Sequence, residues 1–86
     1  MYFVYIIYSK KLDKYYIGFS SNVVERLAKH NRKSKGFSSL GKPWILMFSE
    51  SFPTKKEAMS REKQLKNWKN RERLEILFKN GSEHPD

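Results

Sequence analysis

Apolar and polar positions follow changing rhythms along the chain. Over residues 2–9 (YFVYIIYS) nearly every side chain is apolar or aromatic, which reads as a β-strand covered on both faces. Lys10, Lys11, Leu12 and Asp13 form a polar turn, and residues 14–20 (KYYIGFS) make a second strand, so the pair predicts a hairpin. In this second strand Tyr16 and Gly18 share one face, and Tyr15, Ile17 and Phe19 share the other. A glycine inside a strand weakens it unless packing, a bulge or a close ligand such as phosphate uses the space.

The rhythm then becomes helical. Asn22 is a good N-cap, with Glu25 three residues on. Val23 and Leu27, flanked by Val24 and Ala28, give an apolar stripe running to about Arg32. Arg26 and His30 lie one turn apart beside that stripe, at the expected boundary between core and solvent. Residues 31–42 (NRKSKGFSSLGK) read as a basic loop suited to phosphate contact.

Pro43 opens a third strand, residues 44–49. Thr54 and Glu57 have capping-box spacing and start a second helix, with Ala58, Leu65 and Trp68 on its buried side. Glu62 lies about 40° around the helix from Ala58, so a carboxylate points to the packed face or its rim. There it needs a cation, a hydrogen-bond set or a metal ion. The helix should break across residues 67–70. A third helix, 71–79, places Leu74, Leu77 and Phe78 inward.

The order β-β-α-β-α-α predicts an α/β (α+β) domain over residues 1–80, a three-stranded antiparallel sheet flanked by helices. Residues 81–86 are expected to be a disordered tail. With no cysteine, disulfides and Cys-type zinc sites are excluded, and packing must draw on six Phe, five Tyr and two Trp. The longest apolar run is far shorter than the roughly 20 residues a spanning helix needs. It also lacks signal-peptide flanks, so a cytoplasmic protein with no membrane partner is expected.

Charge sharpens the expectation. Eighteen Lys and Arg stand against nine Asp and Glu, for a net charge of +9. A polyanionic partner follows, nucleic acid before an anionic membrane, because Glu25, Glu57, Glu62, Glu72 and Glu75 interrupt the basic runs and leave no helix with a purely basic polar face. The chain has no zinc-like cluster, no Gly-rich phosphate loop before a helix and no local Ser or Cys nucleophile motif. It does offer Tyr5, Tyr16, Arg26, His30 and Glu62. Phosphodiester hydrolysis needs such a set: a proton acceptor, a guanidinium for phosphate oxygens and a carboxylate for a hydrated divalent ion. Each residue also has an ordinary role, as a strand aromatic, a solvated helix edge or an i,i+4 partner of Lys66.

Phe3-Val4-Tyr5, Tyr16-Ile17-Gly18, Arg26 and His30, followed by Pro43-Trp44 and the run Arg61-Glu62-Lys63-Gln64-Leu65-Lys66, resemble the GIY-YIG nuclease superfamily, in particular its small stand-alone members. The resemblance implies a metal-dependent endonuclease acting on DNA, in repair or recombination, with repair proteins as partners. It implies Tyr5, Tyr16, Arg26 and His30 as catalytic residues. It implies Glu62 as the ligand of one Mg²⁺ or Mn²⁺ and Arg26 as a phosphate contact; the strand glycine and the basic loop add Gly18, Lys33 and Lys35 as expected nucleic-acid contacts. Two positions depart from the family pattern. Phe3 replaces a glycine, and residues 74–77 hold no asparagine where many members place one. Alternative functions on the same fold are a nucleic-acid-binding module without turnover and a protein-interaction domain.

Overall fold

The computed structural model describes residues 1–32, 40–68 and 70–80. Its elements are β1 (Tyr2–Ser9), β2 (Lys14–Ser20), α1 (Val23–Arg32), β3 (Trp44–Phe52), α2 (Lys55–Asn67) and α3 (Arg71–Asn80). The strands form one antiparallel sheet in the order β2-β1-β3, matching the expected α+β architecture. As expected for a strand apolar on both sides, β1 lies at the centre and is covered twice.

Alternation along β1 divides the core. Val4 and Ile6 join Phe48, Ala58, Leu65, Leu74 and Leu77 on the side of α2 and α3. Tyr5 and Ile7 join Trp44 on the other side, against Val23 and Leu27 of α1. A register shift at Met47 is needed for this. Ile6 pairs with Phe48 but Ile7 pairs with Leu46, so β3 carries one extra residue. A one-residue slip exchanges the faces of a strand. The bulge therefore lets Phe48 enter one core layer and Trp44 the other, although the two are four residues apart.

The helix starts follow the sequence expectation. Asn22 Oδ1 accepts from the Glu25 N–H at 3.0 Å, and Thr54 Oγ1 accepts from the Glu57 N–H at 3.3 Å. Asn70 adds a cap that the sequence reading did not assign, accepting from the Arg73 N–H at 3.3 Å.

Four expectations change. β3 continues to Phe52, because Glu50 and Phe52 still meet α2-side partners. The α1 stripe is narrower than read: Val24 is 80% exposed and Ala28 is also exposed, so of its four apolar residues Val23 and Leu27 pack on the sheet. His30 is buried rather than at the boundary. Residues 31–42 are not a loop throughout, since Asn31 and Arg32 complete α1 and Leu40 has helical backbone. Residues 33–39, with Lys33 and Lys35, and the expected tail 81–86 lie outside the described residues.

No described helix is long and apolar enough to cross a membrane. A polar-aromatic network ties α3 to the hairpin. Arg71 pairs with Asp13 at 2.6 Å and Glu75 at 3.3 Å, Tyr8 donates to Asp13, and Tyr15 donates to Glu75 at 3.0 Å. The Arg71 guanidinium also lies over the Tyr8 and Tyr15 rings. Asp13 takes a positive φ of 53°, which a short polar side chain tolerates in a turn.

Candidate active site

Cross-strand pairing creates the floor of the site. Tyr5 lies opposite Gly18, and Ile7 opposite Tyr16, so Tyr5, Gly18 and Tyr16 share the α1 face. A β-carbon on Gly18 would stand 2.6 Å from Tyr5 Oη and 2.7 Å from Cζ. The close neighbour that this glycine admits is thus the Tyr5 ring, which crosses β2 where any other residue would project. The ring is 2% exposed.

Helix α1 brings His30 onto the same floor. Its Nε2 is 3.3 Å from Tyr5 Oη, and Tyr16 meets the imidazole edge-on with ring centres 4.8 Å apart. Trp44 closes the back of this group, 6.3 Å from His30 and 6.2 Å from Tyr16 between ring centres. Asn31, next to His30, fixes that wall. Its Oδ1 accepts from the Trp44 N–H at 2.7 Å and its Nδ2 donates to the Trp44 carbonyl at 3.3 Å. The amide thus serves β3, an edge strand, as a short substitute for a strand partner.

Arg26 lies one turn before His30 and is exposed. It opens onto a cleft of about 380 Å³ lined by Tyr5, Tyr16, Gly18, Arg26, Lys55 and Glu62, with residues of both strand ends at its rim. Four elements (β1, β2, α1 and α2) therefore supply one concave surface. Tyr5, Tyr16, Arg26 and Glu62 line it directly, and His30 stands behind Tyr5. Glu62 is half-buried and lies 3.7 Å from Lys66, so the ordinary i,i+4 pair is present as well. Lys33 and Lys35 cannot be placed.

The electrostatics fit a polar but partly dry site. Burial pushes the Tyr5 phenol up to about 12; Tyr16 and Glu62 push the same way, and the Arg26 guanidinium opposes them. Tyr5 is therefore neutral at neutral pH and can donate its proton. Glu62 is the only carboxylate among the described residues of the cleft. Among the described residues no three His, Cys, Asp or Glu gather into a metal site. One carboxylate in an open cleft suits a hard cation that keeps most of its waters, and does not suit tetrahedral zinc.

Sequence reasoning missed Asn31 and Trp44 as supports, Lys55 at the rim, and Arg61. Arg61 falls on the same helical stripe as Ala58 and Leu65, a signal that was available. It is buried, paired with Glu50 at 2.9 Å and bonded to Gln64 at 2.8 Å, and it joins α2 to β3. No local pattern marks Asn31, because its partner lies 13 residues away.

Comparison with known proteins gives the chain a family and a fold neighbour. A family model described as the GIY-YIG catalytic domain matches residues 1–75. A UPF0213 protein of Staphylococcus haemolyticus is 33% identical over 76 residues, covering 87% of this chain and 92% of the relative. One from Staphylococcus epidermidis is 30% identical with the same coverage. The solution NMR structure of a UPF0213 protein from Bacillus halodurans superposes with a TM-score of 0.58 at 27% identity, covering 96% of this chain and 89% of that one.

Proposed function

The chain belongs to the GIY-YIG catalytic-domain family, a family of nucleases, and from that premise we propose that it is a metal-dependent endonuclease hydrolysing DNA phosphodiester bonds. The observation that carries the reading is the cleft itself. It brings a neutral phenol, a guanidinium and a lone carboxylate together, with an imidazole in contact with the phenol.

In this reading Tyr5 is a relay rather than a free base. Its Oη accepts a proton from the attacking water while passing its own to His30 Nε2, one proton in and one out. Arg26 lies over the phosphate oxygens and offsets the charge that builds there. Tyr16 packs against the imidazole and lines the site beside the attacked phosphate. Glu62 would hold one Mg²⁺ or Mn²⁺ through a carboxylate oxygen. When bound, that ion supplies positive charge to the phosphate and the leaving oxygen. Trp44 and Asn31 keep the imidazole against Tyr5.

The test is cleavage of labelled duplex, flap, branched and single-stranded DNA in Mg²⁺, Mn²⁺ or EDTA. Cleavage should need the metal and fall by about 100-fold or more in Glu62→Ala and in Arg26→Ala. Cleavage that survives both substitutions would remove these residues from the mechanism. Salt-sensitive binding without any cleavage would leave a binding module instead.

A further inference from the structure

We propose that the outer face of α2 is a second nucleic-acid contact, a groove where Lys55, Lys56 and Lys63 hold backbone phosphates on the approach to the cleft. The inference rests on the nucleic-acid reading of the cleft and extends it to a surface outside the catalytic constellation.

The groove has a volume of about 580 Å³ and is lined by Lys55, Lys56, Met59, Ser60 and Lys63. Three ammonium groups and a hydroxyl face it, and no acid does among the described residues. Helical spacing explains this composition. Residues 55, 59 and 63 form one row and 56 and 60 the next, on the side away from Ala58, Arg61 and Leu65. The helix acids face the hollows on either side: Glu57 lines one with Glu50, Arg61, Lys56 and Ser60, and Glu62 lines the cleft with Lys55. An ammonium is a point charge that serves phosphate without demanding one orientation, as a sequence-independent backbone contact requires.

Two further observations join the groove to the cleft. Lys55 lines both, so a strand leaving the Arg26–Glu62 region meets the lysine row at once. Met59 is 47% exposed among the lysines and offers an apolar surface to sugar edges between phosphates. From Lys55 to Lys63 is eight residues, about 12 Å of helix, or roughly three to four base-pair rises along a duplex axis.

The experiment is binding of a labelled 20-base-pair duplex and a 20-nucleotide single strand across a salt series. It uses the full chain in a Glu62→Gln background, which keeps the probe intact. The test variant is Lys55→Ala/Lys56→Ala/Lys63→Ala. The control, Lys10→Ala/Lys11→Ala/Lys79→Ala, removes the same charge from the exposed hairpin turn and α3. Alanine is the better helix former at the exposed positions of α2, so the test variant should fold. The groove variant should lose about 2 to 3 units of the log–log salt slope on duplex and bind about tenfold or more weakly near 0.15 M salt. The control should lose less than about 1 unit. Equal losses in the two variants would reduce the effect to net charge and overturn the groove. So would a wild-type salt slope near zero. Groove-dependent binding, where the protein that retains Glu62 cleaves nothing in Mg²⁺ or Mn²⁺, would sink the nuclease and keep the groove. Cleavage with groove-independent binding would do the reverse.

Discussion

The two faces of β1 make different use of neighbouring residues. On the α2–α3 face, Val4 and Ile6 meet Phe48, Ala58, Leu65, Leu74 and Leu77, an apolar layer. On the α1 face, Tyr5 and Ile7 meet Trp44 and, through the cleft, His30, Tyr16, Arg26 and Glu62. One layer is stabilised by removing hydrocarbon from water. The other accepts a buried imidazole and phenol and satisfies part of their polarity mutually, at 3.3 Å. A domain this small has little stability to spare. Consecutive residues of one strand therefore divide the work, with even positions holding the fold and Tyr5 lining the cleft.

The largest effect should come from trying to exchange those roles. Ile6 is fully buried, and Ile6→Ala removes apolar volume from the α2–α3 layer. It should destabilise the domain by about 2–5 kcal/mol, or roughly 10 °C or more in Tm. Tyr5→Phe keeps the ring over Gly18 and removes only the hydroxyl. Its stability should stay within about 1 kcal/mol of the parent while DNA cleavage falls by about 100-fold or more. Thermal melts and cleavage rates on the same preparations read both. If Tyr5→Phe melts as early as Ile6→Ala, or cleaves DNA at the parental rate, the division between the faces is wrong.

Much of the division was legible beforehand. The strand periods, the Asn22 and Thr54 caps and the inward residues of α3 depend on neighbours close in sequence, where chemistry dictates geometry. Of the candidate site residues, Tyr5, Tyr16, Gly18, Arg26 and Glu62 were legible through their ordered spacing, and the topology brings them to one cleft with His30 behind Tyr5. What was hidden depends on distance along the chain. The bulge at Met47 sets which face Trp44 and Phe48 enter, and no residue type there announces it. The clamp of Asn31 on Trp44 and the pairing of Arg61 with Glu50 need two elements to be docked first. The narrow α1 stripe has the same origin: Val24 is a good core residue with no surface to meet.

Gly18 gives a finer probe of the cleft face, because it tests space rather than a functional group. Gly18→Ala puts a methyl group where the Tyr5 ring lies, with 2.6 Å to Oη. The ring is confined by burial and by His30, so it must shift as a body. The expected loss is about 1–3 kcal/mol of stability. Cleavage should drop by about 100-fold, as for a displacement near 1 Å in a positioned group. Denaturant midpoints and cleavage rates measure the two. In a Tyr5→Ala background the same methyl group no longer meets the phenol ring, so it should lower cleavage no further. A further drop there would mean that Gly18 acts through its own backbone.

The smallest effect should appear on the opposite face, at neutral pH, and vanish in acid. Arg71 and Tyr8 hold the Asp13 carboxyl down to about 2, below the ordinary carboxylate value of 3.8. A depressed folded-state value means that the folded chain prefers the ionised form. The resulting stability is complete above the ordinary value and is lost as pH falls through it toward about 2. Asp13→Asn tolerates the same positive φ, so it removes charge without straining the turn. Wild type should melt above the variant at neutral pH, and the gap should close between about pH 4 and pH 2. Because Asp13 is exposed and the pair is screened by solvent, that gap should be narrower than either effect above and should shrink with salt. A gap that stays constant across this window would mean that Asp13 contributes through turn geometry alone. The link between the hairpin and α3 would then rest on the Tyr15–Glu75 bond and the stacking of Arg71 on Tyr8 and Tyr15.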